Sequence, residues 1–187
     1  MSTRRNFLAS TLAFTTVSLA ASAGVDEFAP KVRIVTEPVC LDTLHFARHF
    51  GVKSNHKSKD PAEFLFALER ELRGSGVEFV YGLTRASTQF LVEQILAPHN
   101  YQICYRGRHR YVDKRLEHVL EGSLGPIDAV TAGMKTTLQP WPLELAEAVE
   151  VLRDSVSIRQ QSVFSVTAGV PQNSYGHLIS WLLRYVG

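Results

Sequence analysis

The sequence has little cysteine and no long apolar run. Two Cys in 187 residues are too few for a disulfide-rich small domain or a four-cysteine zinc site. No apolar stretch reaches the roughly 18 residues that indicate a membrane-spanning helix, so we expect no permanent membrane span. The hydrophobic share of 45% excludes a fully disordered chain. The length predicts one domain with a substantial core.

Common catalytic signatures are absent as well. The chain has no G-x-x-x-x-G-K-S/T phosphate loop, no G-x-G-x-x-G and no H-E-x-x-H. It also lacks the G-x-S-x-G elbow and any C-x-x-C pair. These absences favour a protein without catalytic activity of its own over an enzyme.

The first 23 residues, here called the leader, differ from the rest of the chain. Arg4 and Arg5 precede an uncharged stretch that ends in small residues at Ala23. Thr3-Arg4-Arg5-Asn6-Phe7-Leu8 resembles the S/T-R-R-x-F-L core of the bacterial twin-arginine signal peptide, although Ala9 stands where that family often has lysine. The resemblance implies recognition by the twin-arginine translocation machinery, export of a folded chain, cleavage after Ala23 and a periplasmic mature protein.

The charge balance argues against a nucleic-acid partner. Lys+Arg number 20 against 18 Asp+Glu, and the leader holds two arginines and no acidic residue. Its removal therefore leaves 18 basic and 18 acidic residues. A surface that binds nucleic acid is basic, so we expect the neutral mature chain to have no nucleic-acid partner, and a periplasmic protein is the alternative.

Hydrophobic patterning predicts alternating strands and helices in the first half of the chain. We expect strands at 31–39, 77–82, 101–106, 111–120 and 163–167, with a turn at Gly107. We expect helices at 41–50, from Pro61 to Gly74, at 84–96, 126–138 and 142–153, and at 178–186, where an edge strand is the alternative. The prediction is a small α/β or α+β sandwich, a mixed sheet with flanking helices, in a single domain over 24–187.

Two polar clusters form a candidate anion site. Arg106, Arg108 and Arg110 would share one face of a hairpin, with His109 on the other. Guanidinium groups bind carboxylate and phosphate through paired N–H donors. Thr84-Arg85-Ala86-Ser87 opens a helix after a strand, where free N–H groups attract anions, and we expect Thr84 to cap that helix. The alternatives are an ordinary helix cap and a solvated hairpin balanced by Glu117 and Glu121. The same helix is predicted to bury Phe90, Leu91 and Ile95.

Cysteine and histidine residues allow further interpretations. Cys40 and Cys104 form a disulfide in an oxidising compartment, or they are two buried thiols. His45 and His49 lie four residues apart on a predicted helix and would both face one metal ion, with Cys40 as a further ligand. A histidine pair without any metal is the alternative.

Three functions follow from these patterns. The first is an exported accessory or binding protein that recognises an anionic ligand or a partner protein. The second is a small periplasmic hydrolase or transferase for an anionic substrate, with His109 or His177 as acid/base and Ser87 as nucleophile. The third is a metal carrier that uses His45 and His49.

Overall fold

The computed structural model describes residues 15–18, 31–37, 40–51, 61–113, 115–123, 127, 131–132, 134, 140–152, 159–167 and 176–187. Within these residues the chain forms one mixed seven-stranded sheet with helices on both faces. The predicted fold class, a mixed sheet with flanking helices, is confirmed. Arg4, Arg5 and Ala23 lie outside the described residues, so cleavage of the leader stays a prediction.

The strands are β1 (Thr15–Ser18), β2 (Lys31–Thr36), β3 (Val77–Thr84), β4 (Tyr101–Val112), β5 (Arg115–Ser123), β6 (Arg159–Thr167) and β7 (His177–Tyr185). The helices are α1 (Leu41–His49), α2 (Pro61–Leu72), α3 (Ala86–Leu96) and α4 (Trp141–Leu152), and a 3-10 turn follows α3 at Ala97–His99. The strand order is β1-β2-β3-β7-β4-β5-β6. β2 and β3 pair in parallel, whereas the other neighbouring strands pair antiparallel.

Two hydrophobic cores lie on opposite faces of the sheet because side chains alternate along each strand. On one face, α1 and α4 pack against residues such as Ile34, Tyr81 and Leu182. On the other face, α2 and α3 pack against residues such as Val35, Val80 and Trp181. The sheet is therefore the central layer of a three-layer sandwich, which places any polar group between strand and helix in a dry environment.

The C-terminal segment is neither a helix nor an edge strand, so both expectations for it are wrong. β7 lies in the middle of the sheet, between β3 and β4. Its residues from Leu178 to Leu183 are buried on both faces. A strand covered on both faces is apolar at nearly every position, and over a short run this pattern also matches a helical stripe.

The turn predicted at Gly107 is also wrong, because Gly107 lies inside β4. A side chain there would collide with Ser180 Oγ and come within 2.6 Å of the Tyr105 hydroxyl. The chain turns instead after β4, where Asp113 has φ 48°. Glycine is needed at 107 for close packing between strands rather than for a bend.

Candidate functional site

The three arginines of β4 share one face of the strand, as expected. Arg108 and Arg110 are exposed, Arg106 is half-buried, and His109 is buried on the opposite face. Each arginine has a carboxylate partner: Arg106 pairs with Glu93 at 2.9 Å, Arg108 with Glu121 at 3.6 Å and Arg110 with Glu117 at 2.8 Å. The face is therefore a ladder of ion pairs, which matches the solvated-hairpin alternative.

The beginning of α3 holds a carboxylate from the chain itself. Glu37, at the end of β2, accepts a hydrogen bond from Arg85 Nε at 2.7 Å and another from the Arg85 backbone N–H at 3.3 Å. The Thr88 hydroxyl donates to the same carboxylate. Glu37 is fully buried, and its carboxylate lies at the N-terminus of α3, where the free N–H groups of a helix attract an anion. The anion position inferred from the sequence is thus filled by Glu37.

Thr84 and Ser87 do not join Arg85 in one site. Arg85, not Thr84, is the N-cap residue of α3. The hydroxyl of Thr84 is buried and accepts a hydrogen bond from Trp181 Nε1 at 3.0 Å, whereas Ser87 is exposed. Arg106 contacts Glu93, two turns into α3 and roughly 12 Å along the helix from Arg85. The predicted anion-site residues therefore lie in separate places.

Thr88 lies on the buried side of α3, where its hydroxyl donates to Glu37. At about 100° per residue, Phe90 lies about 200° around the helix from Thr88 and therefore on the opposite side. Thr88, Gln89, Val92 and Leu96 are buried, whereas Phe90 is 57% exposed and Leu91 is 41% exposed. The expectation that Phe90 and Leu91 are buried is wrong, because α3 turns Val92 and Leu96 into the hydrophobic core and Thr88 toward the Glu37 carboxylate.

The outward face of α3 carries no charged residue, which is unusual for a helix that faces solvent. Its exposed residues, with those of the 3-10 turn that follows, are Ala86, Ser87, Phe90, Leu91, Gln94, Ala97 and Pro98. We call this set the α3 face. The single charged side chain of α3, Glu93, is half-buried and is bonded to Gln89 and Arg106. The neighbouring helix α2 exposes Glu63, Arg70 and Glu71 instead.

A second polar cluster lies beneath α4, on the other side of the sheet. Ser180 Oγ is 2.7 Å from His109 Nε2 and 3.0 Å from the Tyr105 hydroxyl. His109 Nδ1 is 2.7 Å from His118 Nδ1. The Trp141 ring of α4 covers His109, with ring centroids 4.4 Å apart. Three adjacent strands thus supply a serine, a histidine and a second histidine in one hydrogen-bonded row.

Burial keeps these imidazoles neutral. It lowers the pKa of His118 to about 4. Burial, followed by the charges of His118 and His177, lowers the pKa of His109 well below its ordinary value. A neutral pair needs one proton between the two Nδ1 atoms. If that proton is on His109 Nδ1, His109 Nε2 has no hydrogen and accepts a hydrogen bond from the Ser180 hydroxyl. If it is on His118 Nδ1, the hydrogen of the His109 ring is on Nε2, which donates a hydrogen bond to Ser180 Oγ.

The hydroxyl of Tyr111 connects Trp141 to α1. Trp141 Nε1 donates to it at 3.1 Å, and it donates to Asp42 Oδ2 at 3.4 Å. Burial, together with the charge of Asp42, raises the pKa of Tyr111 to about 12. The contact fixes α1 and α4 against the end of β4.

Cys40 and Cys104 are free thiols, so the disulfide alternative is wrong. Cys40 precedes α1 near Tyr111, and Cys104 lies seven residues before Tyr111 on β4. Seven strand residues span about 23 Å, whereas bridged cysteines need Cα atoms within roughly 7 Å. Burial raises the pKa of Cys104 to about 11, which suppresses its reactivity.

His45 and His49 are both half-buried on α1, and His49 packs edge-on against Phe50. Within the described part of the chain, no three His, Cys, Asp or Glu residues lie close enough together to hold a metal ion. The third and fourth ligands that a structural zinc site needs are therefore not found among those residues.

Sequence reasoning missed Glu37, His118 and Ser180. Glu37 carried one signal, since a carboxylate directly after a β-branched strand lies at the sheet edge where parallel strands end. Ser180 and His118 carried no signal, because only the pairing of β4 with β5 and β7 brings them to His109.

Among the described residues, no helix has the length and apolar character needed to cross a membrane. Comparison of the chain with protein-family models, curated proteins and solved structures finds no match.

Proposed function

We propose that the protein is exported to the periplasm and acts there as a non-catalytic binding protein for a partner protein. The α3 face carries this proposal. It exposes Phe90 and Leu91 in a helix face that has no charge to oppose an apolar partner. The export step is supported by the twin-arginine resemblance of the leader.

The occupant that fits this face is an amphipathic helix of the partner. Ser87, Phe90, Leu91 and Gln94 follow the i, i+3, i+4, i+7 spacing by which one helix packs against another. Small residues at both ends, Ala86 and Ala97, allow close approach. Phe90 would be the anchor, since large aromatic side chains contribute most at such contacts.

The size of the face favours a transient contact over a permanent dimer. α3 has 11 residues and is therefore about 16 Å long. One such helix face offers well below the ~800 Å² that each partner of a stable complex buries. We therefore expect micromolar affinity and a complex that forms and dissociates during function.

An anionic ligand is less well supported. Arg85, Arg106, Arg108 and Arg110 each hold a carboxylate of the chain itself. A ligand anion would have to displace one of these carboxylates, and the gain would be the difference between two similar ion pairs.

The test compares periplasmic proteins retained by the native chain and by the double variant Phe90→Ser/Leu91→Ser. Phe66→Ser on α2 is the matched control, since Phe66 is 65% exposed. A protein lost with the double variant alone is identified, purified and titrated. We expect its affinity to fall at least tenfold for the double variant and to stay unchanged for Phe66→Ser. Equal affinities for all three proteins would contradict the proposal.

A second candidate function, acyl hydrolysis, is favoured by the contact between Ser180 and His109. The Ser180 oxygen would attack an ester carbonyl carbon while its proton passes to His109 Nε2, and His118 would accept a hydrogen bond from His109 Nδ1. Collapse of the tetrahedral adduct would expel the alcohol, which takes that proton, and water would then release the acid from Ser180 by the same steps. Ser180 is fully buried, so Trp141 must first move away from His109. A fluorophosphonate probe should then label Ser180 in the native chain and not in His109→Gln. Absence of the adduct in the native chain would end this candidate.

A further inference from the structure

β2 is covered along its outer edge by a strand from the leader. Thr15–Ser18 pairs antiparallel with β2, in the register Thr15 to Thr36, Thr16 to Val35, Val17 to Ile34 and Ser18 to Arg33. These four leader residues are uncharged, and three of them are β-branched, which suits an extended strand. A segment inside the predicted signal peptide is thus the edge strand of the folded domain.

The stretch of β2 under this contact has the character of an inner strand. Arg33, Ile34, Val35 and Thr36 are all buried, and the charge of Arg33 is held by Glu71 at 2.5 Å. Natural sheets protect a free edge with exposed charges, a proline or a bulge. β2 has such devices at its start, in the exposed Lys31 and the irregular register between Lys31 and Val32, whereas Ile34, Val35 and Thr36 offer none. Their backbone groups would remain free to pair with another strand if β1 were removed.

We propose that Thr15–Ser18 is a removable edge strand, whose loss turns β2 into an acceptor for an extended, uncharged peptide segment. Docking of the leader follows from the register above. Exposure of the edge rests on leader cleavage, which the twin-arginine resemblance implies. In an antiparallel pair the acceptor supplies main-chain hydrogen bonds, and side-chain pockets on alternate positions supply selectivity.

Hydrogen exchange on the full chain tests the docking. Thr16→Pro/Val17→Pro removes two backbone donors from β1, and Thr16→Val/Val17→Thr, which keeps both donors and the β-branched side chains, is the control. Backbone amides point alternately to the two neighbouring strands, so we expect the Arg33–Thr36 amides that face β1 to exchange at least tenfold faster in the proline variant and at the native rate in the control. Excess synthetic peptide of residues 12–21 should slow that exchange again. Equal exchange in all three chains, or no effect of the peptide, would overturn the proposal.

Oxidative cross-linking tests the same contact without relying on exchange rates. Register partners in an antiparallel pair have Cα atoms about 4.5–5.5 Å apart, which suits a disulfide. The full chain carrying Thr15→Cys and Thr36→Cys should form that bond on mild oxidation, as read from its digested fragments by mass spectrometry. Ser18→Cys with Thr36→Cys should not form one, because Ser18 pairs with Arg33, three residues away from Thr36. A bond in both chains, or in neither, would show that β1 has no fixed register on β2.

Discussion

The buried imidazole of His118 links the stability of the fold to pH. Its pKa is about 4 in the folded chain, against 6.5 for a solvated histidine. The unfolded chain therefore binds more protons between these values, so stability is full above pH 6.5 and falls as the pH decreases toward 4. Burial lowers the pKa of His109 too, which acts in the same direction.

We predict that protonation of His118 alone lowers the free energy of unfolding by about 2 kcal/mol between pH 7 and pH 4.5. Urea denaturation of the native chain and of His118→Gln at both pH values measures this quantity. The variant is expected to be less stable at pH 7 and to lose less stability on acidification. An equal loss in the free energy of unfolding for both chains would show that His118 is not the group whose protonation destabilises the fold.

Gly107 supports the same cluster by leaving room for it. A methyl group at 107 meets Ser180 Oγ and the Tyr105 hydroxyl, so Gly107→Ala should destabilise the fold by about 1–3 kcal/mol. Gln102→Ala, at an exposed position on the same strand, should change stability by less than about 0.5 kcal/mol. Thermal or urea unfolding of both variants is the measurement, and a Gly107→Ala chain as stable as the native one would contradict the packing described.

At the level of elements, Glu37 attaches α3 to the end of β2. Arg85→Ala leaves this buried carboxylate without its cation, and we expect a loss of about 2–3 kcal/mol, less than for a fully buried pair because Arg85 is 25% exposed. Arg108→Ala, from a pair exposed on both sides, should cost less than about 0.5 kcal/mol. Urea unfolding compares the two variants. Equal stabilities would mean that Glu37 does not anchor α3.

The elements differ in how far the sequence could predict them. α2 begins at Pro61 as expected, because proline suits the first turn of a helix and an apolar stripe follows it. The face of α3 could not be predicted, since Phe90, Leu91, Val92, Ile95 and Leu96 outnumber the positions that one buried stripe can hold. Which of them turn outward depends on contacts distant in sequence, namely the packing of Val92 and Leu96 against the sheet and the bond from Thr88 to Glu37.

The candidate site also has features that the sequence predicts and features that it does not. The placement of Arg106, Arg108 and Arg110 on one face follows from strand alternation and was predictable. The alternative of a hairpin balanced by Glu117 and Glu121 also followed from the sequence, and both residues pair with arginines of β4. Glu93 could not be predicted as the partner of Arg106, because it comes from α3 and local periodicity does not show which helix residue meets the strand.

At the scale of the molecule, the α3 face should contribute to binding and not to folding. We predict that Phe90→Ser changes the free energy of unfolding by less than about 0.5 kcal/mol, because the side chain is more than half exposed. Val92→Ser, two residues away and fully buried, should cost at least about 2 kcal/mol. Urea unfolding of the two variants checks this separation, and a large loss for Phe90→Ser would assign Phe90 to the core.

The most direct test of the binding role is photo-cross-linking in living cells that export the protein. A benzophenone amino acid is placed at Phe90 or, as the control, at the exposed position Arg70 on α2. We expect one discrete adduct, heavier than the chain by the mass of a different protein, from position 90 and not from position 70. Absence of an adduct at 90, equal adducts at both positions, or an adduct of two copies of this chain would contradict a partner helix docked on α3.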